Sequence, residues 1–308
     1  MSPPSGGYTV SYTTPDPVTP DRDVPILIRY PIGTPAPLPV VLWSHGGGYN
    51  NNGHHRQEVW GDTLARFGYA VIHMSHTDDE AGAHGFALGI PRDECEGEDL
   101  QNGEPSEGDT LISLWYDRPR DASAVLDDLG NIETHFRLDL DDRRVAVGGF
   151  SGGAFTVMAL AGALADFSPS VLAVSSADPR FRAFLANSPQ GVDRLGMTET
   201  SWDGIAAPVL VQTGFNDNAG QEEARDRLDP YRHMPPADKY LQYLDSPEAR
   251  HPVFGLDEDG SRPLRFYVAN AGVAFFDAHL LDRPEAQAWL ESNPLDGLSG
   301  AISTIDWK

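Results

Sequence analysis

Short apolar runs separated by glycine, proline and acidic residues dominate this chain, and they follow two periods. Residues 8–14 and 24–30 alternate apolar with polar positions, which predicts two early strands. Pro15, Pro17 and Pro20 mark the turn between them, so the pair is expected to be antiparallel. Residues 38–44, 70–75 and 144–149 are near-continuous apolar runs of strand length, the pattern of strands buried on both faces. Residues 181–186, 209–213 and 239–244 are expected as the last three strands. Helices are expected at 59–67 (stopped by Gly68), 117–129 and 154–165, with a closing helix at 266–281 and a further one at 286–291. Strands alternating with helices predict an α/β fold: a mostly parallel central sheet with helices on both faces. In such sheets ligands gather beyond the carboxyl ends of the strands.

The alternation breaks from residue 77 to 116, where Gly, Pro, Asp and Glu show little periodicity before an apolar stretch at 111–115. A segment of this length within a compact domain is usually functional or disordered. The expectation is one domain over 1–308 with a cap or flap inserted at 77–116.

Within this pattern, Gly149-Phe150-Ser151-Gly152-Gly153 follows an apolar strand and precedes an Ala-, Leu- and Met-rich helix. A serine on such a turn has its hydroxyl lifted clear of the sheet, and the flanking glycines leave room for the sharp bend. The amide of Gly152, at a helix N-terminus, favours negative charge. Ser151 is therefore the candidate nucleophile, and it requires a base, an acid to orient that base, and oxyanion donors. Asp217 follows the run at 209–213 and should stand at the carboxyl edge of the sheet. Asp178 precedes its strand and should lie at the opposite edge, while Asp226 and Asp229 follow a helical stretch. His251 follows the 239–244 strand by a short loop and is the candidate base, whereas His279 falls within a helix and His233 precedes the last strand. His45-Gly46-Gly47-Gly48 closes the 38–44 strand, and the Gly47 amide is the expected partner of Gly152 in an oxyanion hole. His45 reads as a structural hydrogen-bonder. Tyr49, Trp115, Gln190, Trp202, Phe215 and Phe254 are candidate substrate contacts.

Composition narrows the partners. Net charge is −24, from 46 acidic residues against 22 Lys plus Arg, which disfavours nucleic acid, anionic membranes and polyanionic substrates. No run of 18 apolar residues occurs, so no membrane span is expected. Cys95 is the single cysteine and permits no internal disulfide. It lies in Asp93-Glu94-Cys95-Glu96, poor surroundings for a thiolate nucleophile. The N-terminal residues carry neither a basic nor an apolar region, which predicts a cytoplasmic protein, or a secreted one after removal of a signal peptide. His54, His55, His73, His76 and His84 lack the spacing of a metal motif, and His73 and His76 are expected to border the pocket. The glycine-rich loop lacks the pattern of a phosphate-binding loop or a dinucleotide fingerprint. Neither metal nor cofactor is expected.

The chain resembles the α/β-hydrolase superfamily, and within it the bacterial predicted-dienelactone-hydrolase branch, which is similar to platelet-activating-factor acetylhydrolase-like serine esterases. The resemblance is carried by Pro39-Val40-Val41-Leu42-Trp43-Ser44-His45-Gly46-Gly47, Asp117-Arg118-Pro119-Arg120-Asp121 and the 144–153 segment. Further along it is carried by Asn187-Ser188-Pro189-Gln190-Gly191, Thr200-Ser201-Trp202, Thr213-Gly214-Phe215-Asn216-Asp217 and His251-Pro252-Val253-Phe254. It implies Ser151, Asp217 and His251 as a triad, with Gly47 and Gly152 as oxyanion donors. Dienelactone hydrolases of this fold use cysteine where this chain has Ser151. The expected function is a carboxylesterase acting on small soluble or short-acyl esters through an acyl-enzyme. The alternatives are a polyester or lipid hydrolase, cutinase-like or platelet-activating-factor acetylhydrolase-like, an amidase, and a non-catalytic hydrolase-like binding protein. A small-molecule ester is the expected partner, and the sequence sets no oligomeric state.

Overall fold

The structure, a computed structural model, describes residues 7–15, 23–47, 53–76, 117–165, 175–219 and 223–308. Among these, nine strands form one sheet in the order β1-β2-β4-β3-β5-β6-β7-β8-β9. They are β1 (Gly7–Pro15), β2 (Asp23–Pro31), β3 (Leu38–Ser44), β4 (Ala70–Met74), β5 (Leu140–Phe150), β6 (Phe181–Asn187), β7 (Val209–Gly214), β8 (Lys239–Leu244) and β9 (Ser303–Trp307). The central run from β4 through β8 is parallel. The first pair is antiparallel, as its alternation predicts, and β2–β4 and β8–β9 are antiparallel too. The helices are α1 (Glu58–Arg66), α2 (Arg118–Asp127), α3 (Leu129–Phe136), α4 (Gly152–Ala161), α5 (Asp229–His233), α6 (Arg262–His279), α7 (Pro284–Glu291) and α8 (Pro294–Ser299). The architecture is α/β, a mostly parallel sheet covered by helices.

Period-two alternation sends successive side chains to opposite faces, and each face builds its own core. Val40, Leu42, Val145 and Val147 pack with Val125 of α2 and Phe155 and Met158 of α4 on one side. Val41, Trp43 and Ala146 pack with Trp60 and Leu64 of α1 and Val268 and Phe275 of α6 on the other. Every residue of α4 from Gly152 to Leu160 is buried, which is why its sequence is apolar all round rather than on one stripe.

Four elements depart from expectation. β5 begins at Leu140 because its register with β3 jumps between Pro39 and Val40, leaving exposed residues from Asp142 to Arg144 as a bulge. The helix expected at 117–129 is two helices meeting at Asp128. The one expected at 154–165 stops at Ala161, where Gly162 takes φ 108° as a left-handed cap. The sheet also gains β9, which pairs antiparallel with β8 after the expected last strand. The cap expected at 77–116 lies outside the described residues. No helix among the described residues is long and apolar enough to cross a membrane.

His73 of β4 is buried on the Trp43 face of the sheet, with ring centroids 6.2 Å apart. Burial first, and then the neighbouring Arg29 cation, lower its pKa from 6.5 to about 3. The folded chain thus holds a neutral ring that the unfolded chain protonates readily. The stability this contributes is complete above pH 6.5 and is lost as pH falls from 6.5 toward about 3. Urea titrations across that range should show a shallower loss of stability in His73→Gln than in the parent, and identical slopes would refute the assignment.

Candidate active site

Ser151 sits between β5 and α4 with φ 55° and ψ −116°, a conformation L-residues rarely adopt. Its neighbours show what holds it there. A Cβ added to Gly149 would lie 2.4 Å from the Gly153 carbonyl oxygen, and one added to Gly153 would lie 2.1 Å from that of Ser44. Both glycines are therefore required by backbone contact, not merely by flexibility. The Ser151 amide donates to the Asn187 carbonyl at 2.9 Å, extending the sheet ladder into the turn, and the Ser151 carbonyl accepts from Ala154 to start the helix. Ser151 is partly exposed, whereas Gly152 behind it is buried in the first turn of α4.

Asp217 lies just past β7 and is fully buried. His251 opens a short 3-10 turn after β8. The two loops join through a parallel bridge between Asn216 and Arg250, and the next residue on each side makes the contact: His251 Nδ1 donates to Asp217 Oδ1 at 2.7 Å. A carboxylate only accepts, so this partner assigns the proton to Nδ1 and leaves Nε2 of the neutral ring as an acceptor. Asp217 Oδ2 accepts from Ser188 Oγ at 2.6 Å and Thr213 Oγ1 at 2.8 Å. The fully buried Arg227 donates through Nε to the Asp217 carbonyl at 2.7 Å, lies 3.4 Å from Oδ1, and reaches the Ser188 carbonyl at 2.7 Å. The His251 ring packs on the ring of Phe150, the residue before Ser151, with centroids 4.5 Å apart. Asp217 and His251 are thus bonded directly, and His251 borders the elbow. Among the described residues Ser151 Oγ itself makes no hydrogen bond, and the contact between the elbow and His251 is made by Phe150.

The loop after β3 runs against this elbow: a Cβ on Gly46 would lie 3.6 Å from that of Ser151. Gly47 is exposed, and Gly48 and Tyr49 lie outside the described residues. Beneath the loop is a second Ser–His–Asp set. His76 Nε2 lies 2.8 Å from Ser44 Oγ, and His76 Nδ1 lies 2.7 Å from Asp121 Oδ2. Ser44, His76 and Asp121 are at most 1% exposed, which closes that hydroxyl to any substrate. His45 is a structural hydrogen-bonder: Nδ1 contacts the Gly46 carbonyl at 2.5 Å and Nε2 accepts from the His76 amide at 3.2 Å. Arg118, also fully buried, donates to the carbonyls of His45 at 2.7 Å and Gly46 at 3.3 Å. His73 and His76, expected to border the pocket, are fully buried.

The expected substrate contacts separate. Phe215 is 57% exposed just before Asn216 and Asp217. Gln190 is buried, two residues from Ser188. Trp202 is fully buried and stacks on His233, centroids 5.9 Å apart. Phe254 is fully buried too, and its carbonyl accepts from Trp60 Nε1 and Asn187 Nδ2, each at 3.0 Å. Neither Trp202 nor Phe254 offers surface to a ligand here, so packing is their role. Trp115 lies outside the described residues. Among the unsuccessful rivals for the acid, Asp178 bonds Arg180 and Ser123 before β6. A cavity of about 660 Å³ does exist elsewhere, at the amino ends of β6, β7 and β8, lined by Arg182, Asp238, His279 and Asp282. It is at the wrong edge of the sheet for ligand chemistry in this architecture, and its Arg182 is paired with Asp282 at 2.9 Å.

Arg118, Ser188 and Thr213 stand in segments that carry the resemblance, but their roles, and that of Arg227, show only once the strands are aligned and their carbonyl and carboxylate partners are in place.

The elbow geometry makes a paired prediction. Gly153→Ala forces a methyl into rigid backbone and should cost roughly 1–3 kcal/mol or more by urea denaturation. Gly130→Ala, exposed within α3 with nothing near the added carbon, should instead stabilise by about 0.5–1 kcal/mol. A tolerated Gly153→Ala would contradict the packing described. No family model matches this chain, and no curated protein matches it.

Proposed function

We propose that this protein is a serine hydrolase of the α/β-hydrolase fold that cleaves carboxylic esters, small soluble or short-acyl esters first among them. The observation that carries the reading is the Asp217–His251 bond of 2.7 Å beside a left-handed serine at a strand-to-helix turn. Strain at a non-glycine residue persists only where surroundings impose it, and it clusters at working sites. Here it falls on a partly exposed serine, while Ser44 with His76 and Asp121 is buried.

In this reading His251 Nε2 takes the Ser151 proton as Oγ attacks the ester carbonyl. Asp217 holds the tautomer and stabilises the imidazolium, its own carboxylate steadied by Ser188, Thr213 and Arg227. The amides of Gly152 and Gly47 stabilise the oxyanion. Collapse of the tetrahedral intermediate expels the alcohol, which receives the proton from His251. Water, deprotonated by His251, then attacks the acyl-enzyme, and release of the acid restores Ser151. His251 packs on Phe150, the residue before Ser151, and in this reading the hydrogen bond from Ser151 Oγ to its Nε2 forms as substrate seats, since catalytic hydrogen bonds tighten in the Michaelis complex.

The exposed Phe215 supports a second reading, hydrolysis of polyesters or lipids, because an open aromatic face suits an extended acyl or aryl chain. Nitrophenyl esters of graded chain length, assayed beside an insoluble polyester, separate the two. Ser151→Ala should reduce kcat on the soluble esters by about 10⁴-fold or more while leaving the unfolding midpoint within a few degrees of the parent. Turnover retained in that variant would remove the mechanism.

A further inference from the structure

We infer that Arg118 is a positioning residue for the oxyanion donor at Gly47, acting through the peptide bond between Gly46 and Gly47. The inference rests on the esterase reading and adds to it how the donor is aimed.

A peptide unit is planar and trans, so its C=O and N–H point in opposite directions. The Gly46 carbonyl and the Gly47 amide belong to one such unit, and fixing the first sets the direction of the second. Arg118 Nη2 donates to the Gly46 carbonyl at 3.3 Å, and Nη1 donates to the His45 carbonyl, one unit earlier, at 2.7 Å. One guanidinium thereby holds two consecutive peptide planes, a task its fixed fork suits. The Gly46 carbonyl has a second donor in His45 Nδ1 at 2.5 Å. That role is assigned by the other ring nitrogen: His45 Nε2 accepts from the His76 amide, so in the neutral ring the proton is on Nδ1. His76 is held in turn by Ser44 and Asp121 at 2.8 and 2.7 Å. Asp121 and Arg118 share the first turn of α2.

Such a grip matters because two glycines give the loop little stiffness of its own. Gly46 and Gly47 have the widest backbone freedom of any residue pair, and a Cβ on Gly47 would meet no atom of the described residues within 4 Å. Side-chain packing therefore cannot aim this amide, whereas a buried cation on the carbonyls can. Turning this peptide over would take the Gly46 carbonyl from a fully buried guanidinium, a costly loss. The cation also polarises the peptide, making the Gly47 N–H a better donor.

The test uses Arg118→Gln and Arg118→Lys, with rates referred to active sites titrated by a fluorophosphonate and folding checked by circular dichroism. The probe of the oxyanion site is a trifluoromethyl ketone, whose serine adduct carries the oxyanion. Arg118→Gln should lower kcat on nitrophenyl esters by about tenfold to a hundredfold with KM within about twofold. Ketone affinity should fall by the same factor. Arg118→Lys, which keeps the charge but not the fork, should fall between Arg118→Gln and the parent. Parental kcat and ketone affinity in either folded variant would overturn the inference, as would an effect confined to KM. If both variants fail to fold, a crystal structure of the parent adduct decides. The Gly47 amide on the oxyanion with Arg118 on the Gly46 carbonyl sustains the inference, and any other orientation of that peptide ends it. A parent that neither turns over esters nor binds the ketone would refute the esterase reading itself, an outcome distinct from active Arg118 variants.

Discussion

A single backbone conformation organises this molecule: the left-handed twist at Ser151, held between two glycines that cannot bear a side chain. The carbonyls of Gly153 and Ser44 occupy the space a Cβ would need, so β3, β5 and α4 meet at a distance set by backbone alone. That closeness brings the loop after β3 against the serine, and it starts α4 with its N-terminus facing the carboxyl edge of the sheet. Every other part of the candidate site is arranged around this point. Strain of this kind costs on the order of 1–3 kcal/mol, and the two cores on either face of the sheet supply the surroundings that enforce it.

Two buried arginines organise the loops at that edge. Arg227 ties the loop after β6 to the loop after β7 through the carbonyls of Ser188, Pro189 and Asp217. Arg118 ties α2 to the loop after β3 through the carbonyls of His45 and Gly46. Loops rich in glycine and proline have little packing of their own, and a planar cation with several donors substitutes for it. The buried Ser44–His76–Asp121 set and the Asp217–His251 pair fall into the same scheme. The one at Ser44 is enclosed and orients the loop, while Asp217 and His251 reach the partly exposed elbow.

Much of this was legible in the chain. The parallel strands are legible because strands buried on both faces must be apolar throughout, as in residues 38–44 and 209–213. The elbow is legible because only glycine fits at 149 and 153. The placement of Asp217 and His251 after successive strands follows from the parallel order of the sheet. What escaped was set by tertiary contact. β9, with the sequence Ser303-Thr304-Ile305-Asp306-Trp307, shows too short an alternation to stand out, and it is a strand because the edge of β8 is there to pair with. Trp202 and Phe254 neighbour loops of the site in sequence, yet their side chains turn into the cores. Arg227 stands in no motif, and Arg118, though within the 117–121 segment, shows its role only once its carbonyl partners are in place.

The account stands on Ser151 being the hydroxyl that reacts. The most direct measurement is mass-spectrometric mapping of the residue modified by a fluorophosphonate, since Ser44, Ser151 and Ser188 all lie within one region. The account predicts a single adduct, on the peptide containing Ser151, and its disappearance when the chain is unfolded before treatment. An adduct on Ser44 or Ser188, or none at all on the folded protein, would contradict it.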